Sequence, residues 1–311
     1  MGEFSFKSFM LISMMALIVV LAACSNDDSQ ENEGKIKATS TIGMIGDVVS
    51  NIGGDHIESI SLMKPGIDPH VYKATQGDIS KLDEADIIFY NGLHLEGQMI
   101  EIFEQMEKNK PTVAVTKNVS TDALLAGDGE ATEYDPHLWF NVQYWIKTAE
   151  VIRDELIKLD EENKEDYEKN AEEYIAKMEE LDRYVKDQIA TIPQQNRVLV
   201  TAHDAFGYFG DAYGIEVMGL QGISTQSEVG SKDVSELRDF LVENKIKAVF
   251  VESSVPKNTI EAVIEGAKQM GHEVTIGGEL FSDAMGDAGT EEGTYLGMVR
   301  HNVDTIVKAL K

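Results

Sequence analysis

Cysteine is almost missing from these 311 residues: the chain has one, Cys24. A single thiol forms no intrachain disulfide, and once Cys24 is otherwise engaged no thiolate is left for a metal ion. Basic residues are scarce as well. Lys and Arg number 27 against 55 Asp and Glu, a formal net charge of -28, which argues against a sequence-independent grip on nucleic-acid phosphates and suits a cationic ligand. The same acidity also describes a solvated surface on an exported protein, so charge alone identifies no ligand. The chain contains no HExxH pair, no GxSxG elbow and no phosphate-binding P-loop, which leaves an enzymatic reading weak.

Long apolar runs are absent beyond the amino terminus. Lys7 precedes an uncharged apolar stretch, Met10 to Ala22, that leads into Leu21-Ala22-Ala23-Cys24. The stretch falls short of the ~20 residues a membrane-spanning helix needs, and small residues precede the cysteine, so 1–23 reads as a signal peptide, with a signal-anchor helix as the alternative. The tetrapeptide resembles the bacterial lipobox, in which Cys24 becomes the lipidated first residue of the mature protein. Acyl chains contribute ~0.8 kcal/mol per buried CH₂, enough for two or more of them to hold a soluble domain at the membrane face. The expected location is therefore outside the cytoplasm, lipid-anchored to the bacterial cell membrane. Residues 24–35 supply the lipidated cysteine and a polar, acidic, flexible tether.

From residue 36 strand-like runs alternate with helical patterns: Ile36–Thr41, a helix ending at Gly53-Gly54, His56–Leu62, a helix over Asp78–Glu84, Ile87–Tyr90 and Thr112–Thr116. This order predicts βαβ units and a mostly parallel sheet in a first α/β lobe, 36–163. Apolar residues then recur at Tyr167, Ala171, Tyr174, Met178, Leu181 and Val185 in steps of four and three. One helix over Lys164–Ile189, about 40 Å long at 1.5 Å per residue, fits that stripe and would link two lobes within 164–192. A coiled-coil dimer is the alternative, but a stripe of only about three heptads favours an intramolecular brace. The alternation resumes with strands at Arg197–Thr201, Ile215–Leu220, Lys247–Glu252 and Glu273–Ile276 and ends in a helix at Thr294–Leu310. That is a second α/β lobe, 193–311, whose opening echoes the first and suggests an internal duplication.

Two of the seven histidines share one local motif: Asp68-Pro69-His70 and Asp135-Pro136-His137. Proline fixes its own φ, and an Asp two residues before the His can hold the turn, so each imidazole is presented from a stiff loop. His203 follows the strand Arg197–Thr201, and Asp283 lies beyond Glu273–Ile276. Ligands in open α/β sheets gather beyond the carboxyl ends of strands, where His70, His203 and Asp283 all fall. Three imidazoles and a carboxylate without thiolate suit Mn²⁺, Fe²⁺ or Zn²⁺ and not Cu(I). Four protein donors also leave little room for a reacting water, which favours binding over hydrolysis. His56, His94, His272 and His301 read as structural or surface residues.

These motifs resemble those of the metal-binding solute-binding lipoproteins of ABC importers for manganese and zinc, also described as surface-adhesin lipoproteins. The resemblance rests on Gly66-Ile67-Asp68-Pro69-His70, Asp135-Pro136-His137-Leu138-Trp139, the run Ala202 to Phe209 with His203, and Gly278 to Asp283. It implies two α/β lobes joined by one rigid helix, with the ion held between them by His70, His137, His203 and Asp283. The implied partners are a membrane permease and, through it, a cytoplasmic ATPase, with the chain itself a monomer and not an enzyme. Manganese binders of the family carry Glu or His at the third ligand position, whereas zinc binders carry His. Dedicated zinc proteins often insert a His-rich loop before the second ligand, and the stretch here, Thr121 to Tyr134, is short and has no histidine. Mn²⁺ is therefore the expected cargo and Zn²⁺ the alternative. A surface adhesin and a secreted metallohydrolase are the rival classes. Unperturbed histidines would make binding weaken as pH falls through about 6.5.

Overall fold

Strand β1 (Ile36–Ser40) runs into helix α1 (Gly43–Gly53), which buries Met44, Ile45, Val48, Val49 and Ile52 along one face. Gly54 ends the helix with φ +54, a left-handed conformation that glycine adopts without a Cβ penalty. Strand β2 (Ile57–Ser61) follows, then α2 (Gln76–Glu84), opened by a capping box between Thr75 and Asp78. Strand β3 (Ile87–Tyr90), helix α3 (Ile100–Met106) and strand β4 (Thr112–Ala114) complete a parallel sheet of order β2-β1-β3-β4. The structure is a computed structural model that describes residues 34–129 and 132–311. The expected signal peptide, the lipobox-like motif with Cys24 and nearly all of the tether lie outside the described residues.

Two helices follow, α4 (Val142–Leu159) and α5 (Lys164–Ala190). The observed α5 matches the expected linking helix to within one residue. Every position of its predicted stripe is buried: Tyr167, Ala171, Tyr174, Met178, Leu181 and Val185. It packs on α1 and α4 of the first lobe and on the carboxyl-terminal helix of the second. The second lobe comprises β5 (Val198–His203), α6 (Gly207–Tyr213), β6 (Glu216–Gln221), α7 (Ser231–Glu243), β7 (Ala248–Glu252), α8 (Asn258–Gln269), β8 (Thr275–Leu280) and α9 (Tyr295–Leu310). Its parallel sheet has the order β6-β5-β7-β8. Both sheets thus place their first strand between the second and third, in keeping with duplicated βαβ units.

Two strands run two or more residues past their expected ends. Strand β5 continues through His203 because it stays paired with β6, His203 lying opposite Gln221. Strand β8 was expected to stop before Gly277-Gly278 but runs to Leu280. The register with β7 slips there: Val249 pairs with Ile276, and Phe250 with Gly278. A Cβ on Gly277 would meet the Phe250 ring at 2.9 Å, and one on Gly278 would meet Thr305 of α9 at 2.3 Å. The glycines that look like a strand terminator are what lets α9 lie against the strand.

The apolar interior is not divided between the lobes. One core runs from the first sheet through α1, α4 and the buried face of α5 into Leu199, Ala248, Phe250, Leu280 and α9. On the other face of the second sheet Val200, Ala202, Val249 and Val251 pack against α7 and α8 in a separate, smaller core. Alternation along β7 explains the split, since successive side chains of a strand face opposite sides. Leu181→Ala, in the middle of α5, is expected to cost about 2–5 kcal/mol. Because the core is shared, tryptophan fluorescence from Trp139 and Trp145 and far-UV circular dichroism should report the same shifted unfolding transition. Two separated transitions would show that the lobes fold independently.

Candidate metal centre

His70 is carried on the loop between β2 and α2, where Asp68 Oδ1 accepts its backbone N–H at 2.9 Å. The second Asp-Pro-His folds the same way, Asp135 Oδ1 accepting the His137 backbone N–H at 2.9 Å. That carboxylate oxygen also lies 2.7 Å from His137 Nδ1, which leaves Nε2 facing inward. A buried polar brace supports the loop. Glu96 Oε1 accepts from Thr41 Oγ1 at 2.6 Å and from the Asn91 N–H at 2.7 Å, and Asn91 Nδ2 donates to the Pro136 carbonyl at 3.0 Å. His203, the last residue of β5, donates from Nε2 to the Ile223 carbonyl at 2.9 Å, which turns Nδ1 inward. Its backbone N–H goes to Glu252 Oε1 at 2.7 Å. Asp283 follows β8, and Trp139 Nε1 of the first lobe ties the adjoining segment down by donating to the Ser282 carbonyl at 3.0 Å.

The four side chains meet where the lobes face each other. All are buried, and one donor atom from each lies within 4.8 Å of the others. His70 Nε2 is 3.2 Å from His137 Nε2; Asp283 oxygens are 3.3 Å from His137 Nε2, 3.6 Å from His203 Nδ1 and 3.8 Å from His70 Nε2. Donors about 2.1 Å from a common centre stand roughly 3.4 Å apart in a tetrahedron, so this spacing suits a divalent ion of that size. Both oxygens of Asp283 and His203 Nδ1 are buried with no hydrogen-bond partner among the described residues. Such atoms are costly unless something else satisfies them, and a cation at the centre would satisfy all three. Asp283 alone of the four also lines a cleft of about 350 Å³, together with Met63, Lys64, Ile67 and Met285.

Charge in the cluster is balanced by protons. Burial pushes His70 down to about 3 against the pull of Asp283. Burial disfavours charge on His137 too, but Asp135 and Asp283 outweigh it and hold that ring up to about 9. Likewise Asp283, Glu252 and the Ile223 carbonyl overcome burial at His203 and lift it to about 10. Burial would raise Asp283, yet the three imidazoles keep its carboxyl well below the usual carboxylate range. Two imidazoles therefore carry protons at neutral pH, the same charge that a divalent ion would bring.

A family model described as "ZnuA: Zinc-uptake complex component A periplasmic" matches residues 39–309. The chain belongs to this family. Among its relatives, the manganese-binding lipoprotein MntA of Bacillus subtilis (strain 168) is 47% identical over 303 residues, 97% of this chain and 99% of that protein. The zinc-binding protein TroA of Treponema pallidum (strain Nichols) is also 47% identical, over 278 residues, 89% of this chain and 90% of that protein. The solved structure of the periplasmic zinc-binding protein TroA superposes with a TM-score of 0.87, covering 89% of this chain and 99% of that one. The two-lobed fold is thus the fold of the ZnuA family.

The remaining histidines stand apart from the cluster. His56 pairs with Asp166 at 2.8 Å, and His272 and His301 bond to the Ile246 and Glu279 carbonyls. His94 occupies a left-handed turn at φ 63 after β3. Two residues of the site were not legible as such. Asp135 reads as a turn former, but it also carries the bond to the His137 ring. Glu252 was missed, although a carboxylate closing the otherwise apolar strand AVFVE is a signal of a buried polar role.

The pH expectation also changes. Since His137 and His203 are raised above their unfolded value, an ion held by this cluster would displace protons held up to about pH 9–10, not ones lost near 6.5. Affinity for Mn²⁺ should keep rising above neutral pH, about tenfold per pH unit for each proton displaced, as isothermal titration in buffers of different ionisation enthalpy would show. The same raised rings stabilise the metal-free fold fully below about pH 6.5, and that contribution is lost as pH rises through about 9–10. Asp135→Asn should weaken metal binding about 10- to 100-fold by loosening and neutralising the support of His137.

Proposed function

We propose that this chain is an extracytoplasmic lipoprotein that captures a divalent transition-metal ion, with manganese as the cargo, and delivers it to the permease of an ABC importer. The observation that carries the reading is the closed, buried cluster of three imidazoles and one carboxylate at the meeting of two lobes. His70 and His137 from the first lobe and His203 and Asp283 from the second are the ligands, and no residue is assigned a catalytic role. Capture strips water from the ion and replaces two protons. Handover requires only that the lobes or their loops move enough to break ligand bonds. In this reading residues 1–23 are removed on export, lipid on Cys24 holds the protein at the membrane, and the monomer meets the permease and, through it, the ATPase.

Zinc is the second reading, supported by the family description and by the naming of the TroA relative, which shows the same 47% identity as the manganese-binding relative over a somewhat shorter match. One feature favours manganese: the stretch before His137 carries no histidine-rich insertion. Zinc should bind more tightly to the isolated protein in either case, because affinity follows the Irving–Williams order. The deciding experiment strips the protein, loads Mn²⁺ or Zn²⁺ and follows release to excess chelator by elemental analysis. Tight, reversible Mn²⁺ beside nearly irreversible Zn²⁺ is expected; freely released Zn²⁺ with scarcely any Mn²⁺ bound would move the assignment to zinc import. For the anchor, Cys24→Ser should abolish incorporation of labelled fatty acid and free the protein from the membrane fraction.

A further inference from the structure

The three imidazoles are not held alike. His137 is fixed through its ring by Asp135, and His203 through its ring by the Ile223 carbonyl. His70 has no such support: its Nδ1 is buried without a partner among the described residues, and its Nε2 faces the cluster. Its position therefore depends on its backbone. Outside its own turn that backbone is gripped by one segment, the connection after β6 at 222–230, which belongs to the opposite lobe. Gln226 Nε2 donates to the His70 carbonyl at 2.7 Å. Thr225 Oγ1 donates to Asp68 Oδ2 at 2.6 Å, while the other oxygen of Asp68 accepts the His70 N–H.

The gripping segment is itself well defined. Gln221 Nε2 donates to the carbonyls of Thr225 and Ser227 at 2.7 and 2.9 Å, closing the turn, and the Ser224 N–H reaches Asp128 Oδ2 of the first lobe at 3.2 Å. The carbonyl of Ile223, which orients His203, comes from the same turn. One short segment thus sets the imidazole of its own lobe and reaches across to set the least supported imidazole of the other.

We propose that Thr225 and Gln226 form an interlobe clasp that positions His70, so that His70 is the first ligand surrendered when the lobes separate and the clasp sets how long the ion is retained. The proposal rests on the metal-binding reading above. Both are positioning residues: they act on the ion only through His70. Loss of the clasp frees the Asp68-Pro69-His70 turn while leaving His137 and His203 on their own supports, which opens a single coordination position to water.

The test compares the full chain with Thr225→Val/Gln226→Leu and with Thr225→Ser. Zn²⁺ is loaded, and its release to excess chelator is timed. The clasp variant should release the ion about 10- to 100-fold faster, whereas Thr225→Ser, which keeps the donor, should behave as the parent. The same pair of changes is then made in a His70→Ala background, where they should no longer accelerate release. Unchanged release in the clasp variant would overturn the proposal. So would equal acceleration with and without His70, which would mean that the segment acts on the whole site. If the double variant does not fold, Thr225→Val alone carries the same comparison. Failure of the parent chain to retain Zn²⁺ or Mn²⁺ at all would instead remove the metal-binding reading on which the clasp depends.

Discussion

A single buried carboxylate, Asp283, organises the molecule. Its oxygens have no hydrogen-bond partner among the described residues, yet three imidazoles stand within 3.8 Å of it. An isolated charge of this kind is costly in an apolar interior. Here it is offset by rings from both lobes, so the lobes are drawn onto one point between them. The supports radiate outward from that point. Asp135 holds His137, the Ile223 carbonyl holds His203, and Glu96 and Asn91 hold the loop behind His137. With the rings protonated the cluster is nearly neutral, and a divalent ion can replace the protons without changing that balance.

The shared core limits how the site can open. Helix α5 buries one continuous stripe, and the apolar interior passes through it from the first sheet to α9. Asp182, buried on the same helix, accepts hydrogen bonds from Gln143 on α4 and Tyr213 on α6, which pins it to both lobes. Large hinge rotation would tear this interior apart. Opening of the cluster is therefore better served by small displacements of the connections at the carboxyl ends of the strands, where the four clustered side chains sit.

Much of this was legible in the residues. The steps of four and three from Tyr167 to Val185 could bury only one face of a single helix, and the repeated Asp-Pro-His could present its imidazole only from a stiff turn. His203 and Asp283 were legible from their position beyond strands, a rule of sheet geometry rather than of residue type. Strand ends were less so. Gly277-Gly278 reads locally as a break, and only the close approach of α9 and the slipped register with Val249 and Phe250 explain why the strand continues.

The sequence by itself determined the order of elements, the linking helix and the identity of the four clustered side chains, because each is written in local periodicity, in a short stiff motif or in a position just beyond a strand. The tertiary structure alone decided that the lobes share one core and that Glu252 and the Ile223 carbonyl orient His203. It also decided that His137 and His203 hold protons well above neutral pH and that Thr225 and Gln226 reach across to Asp68 and His70. Apart from Asp135 beside His137, the hydrogen bonds among them join residues 20 to 157 positions apart. Hydrogen bonds and charge–charge effects act over a few ångströms of space, and no local pattern in a chain records which distant groups folding will bring that close.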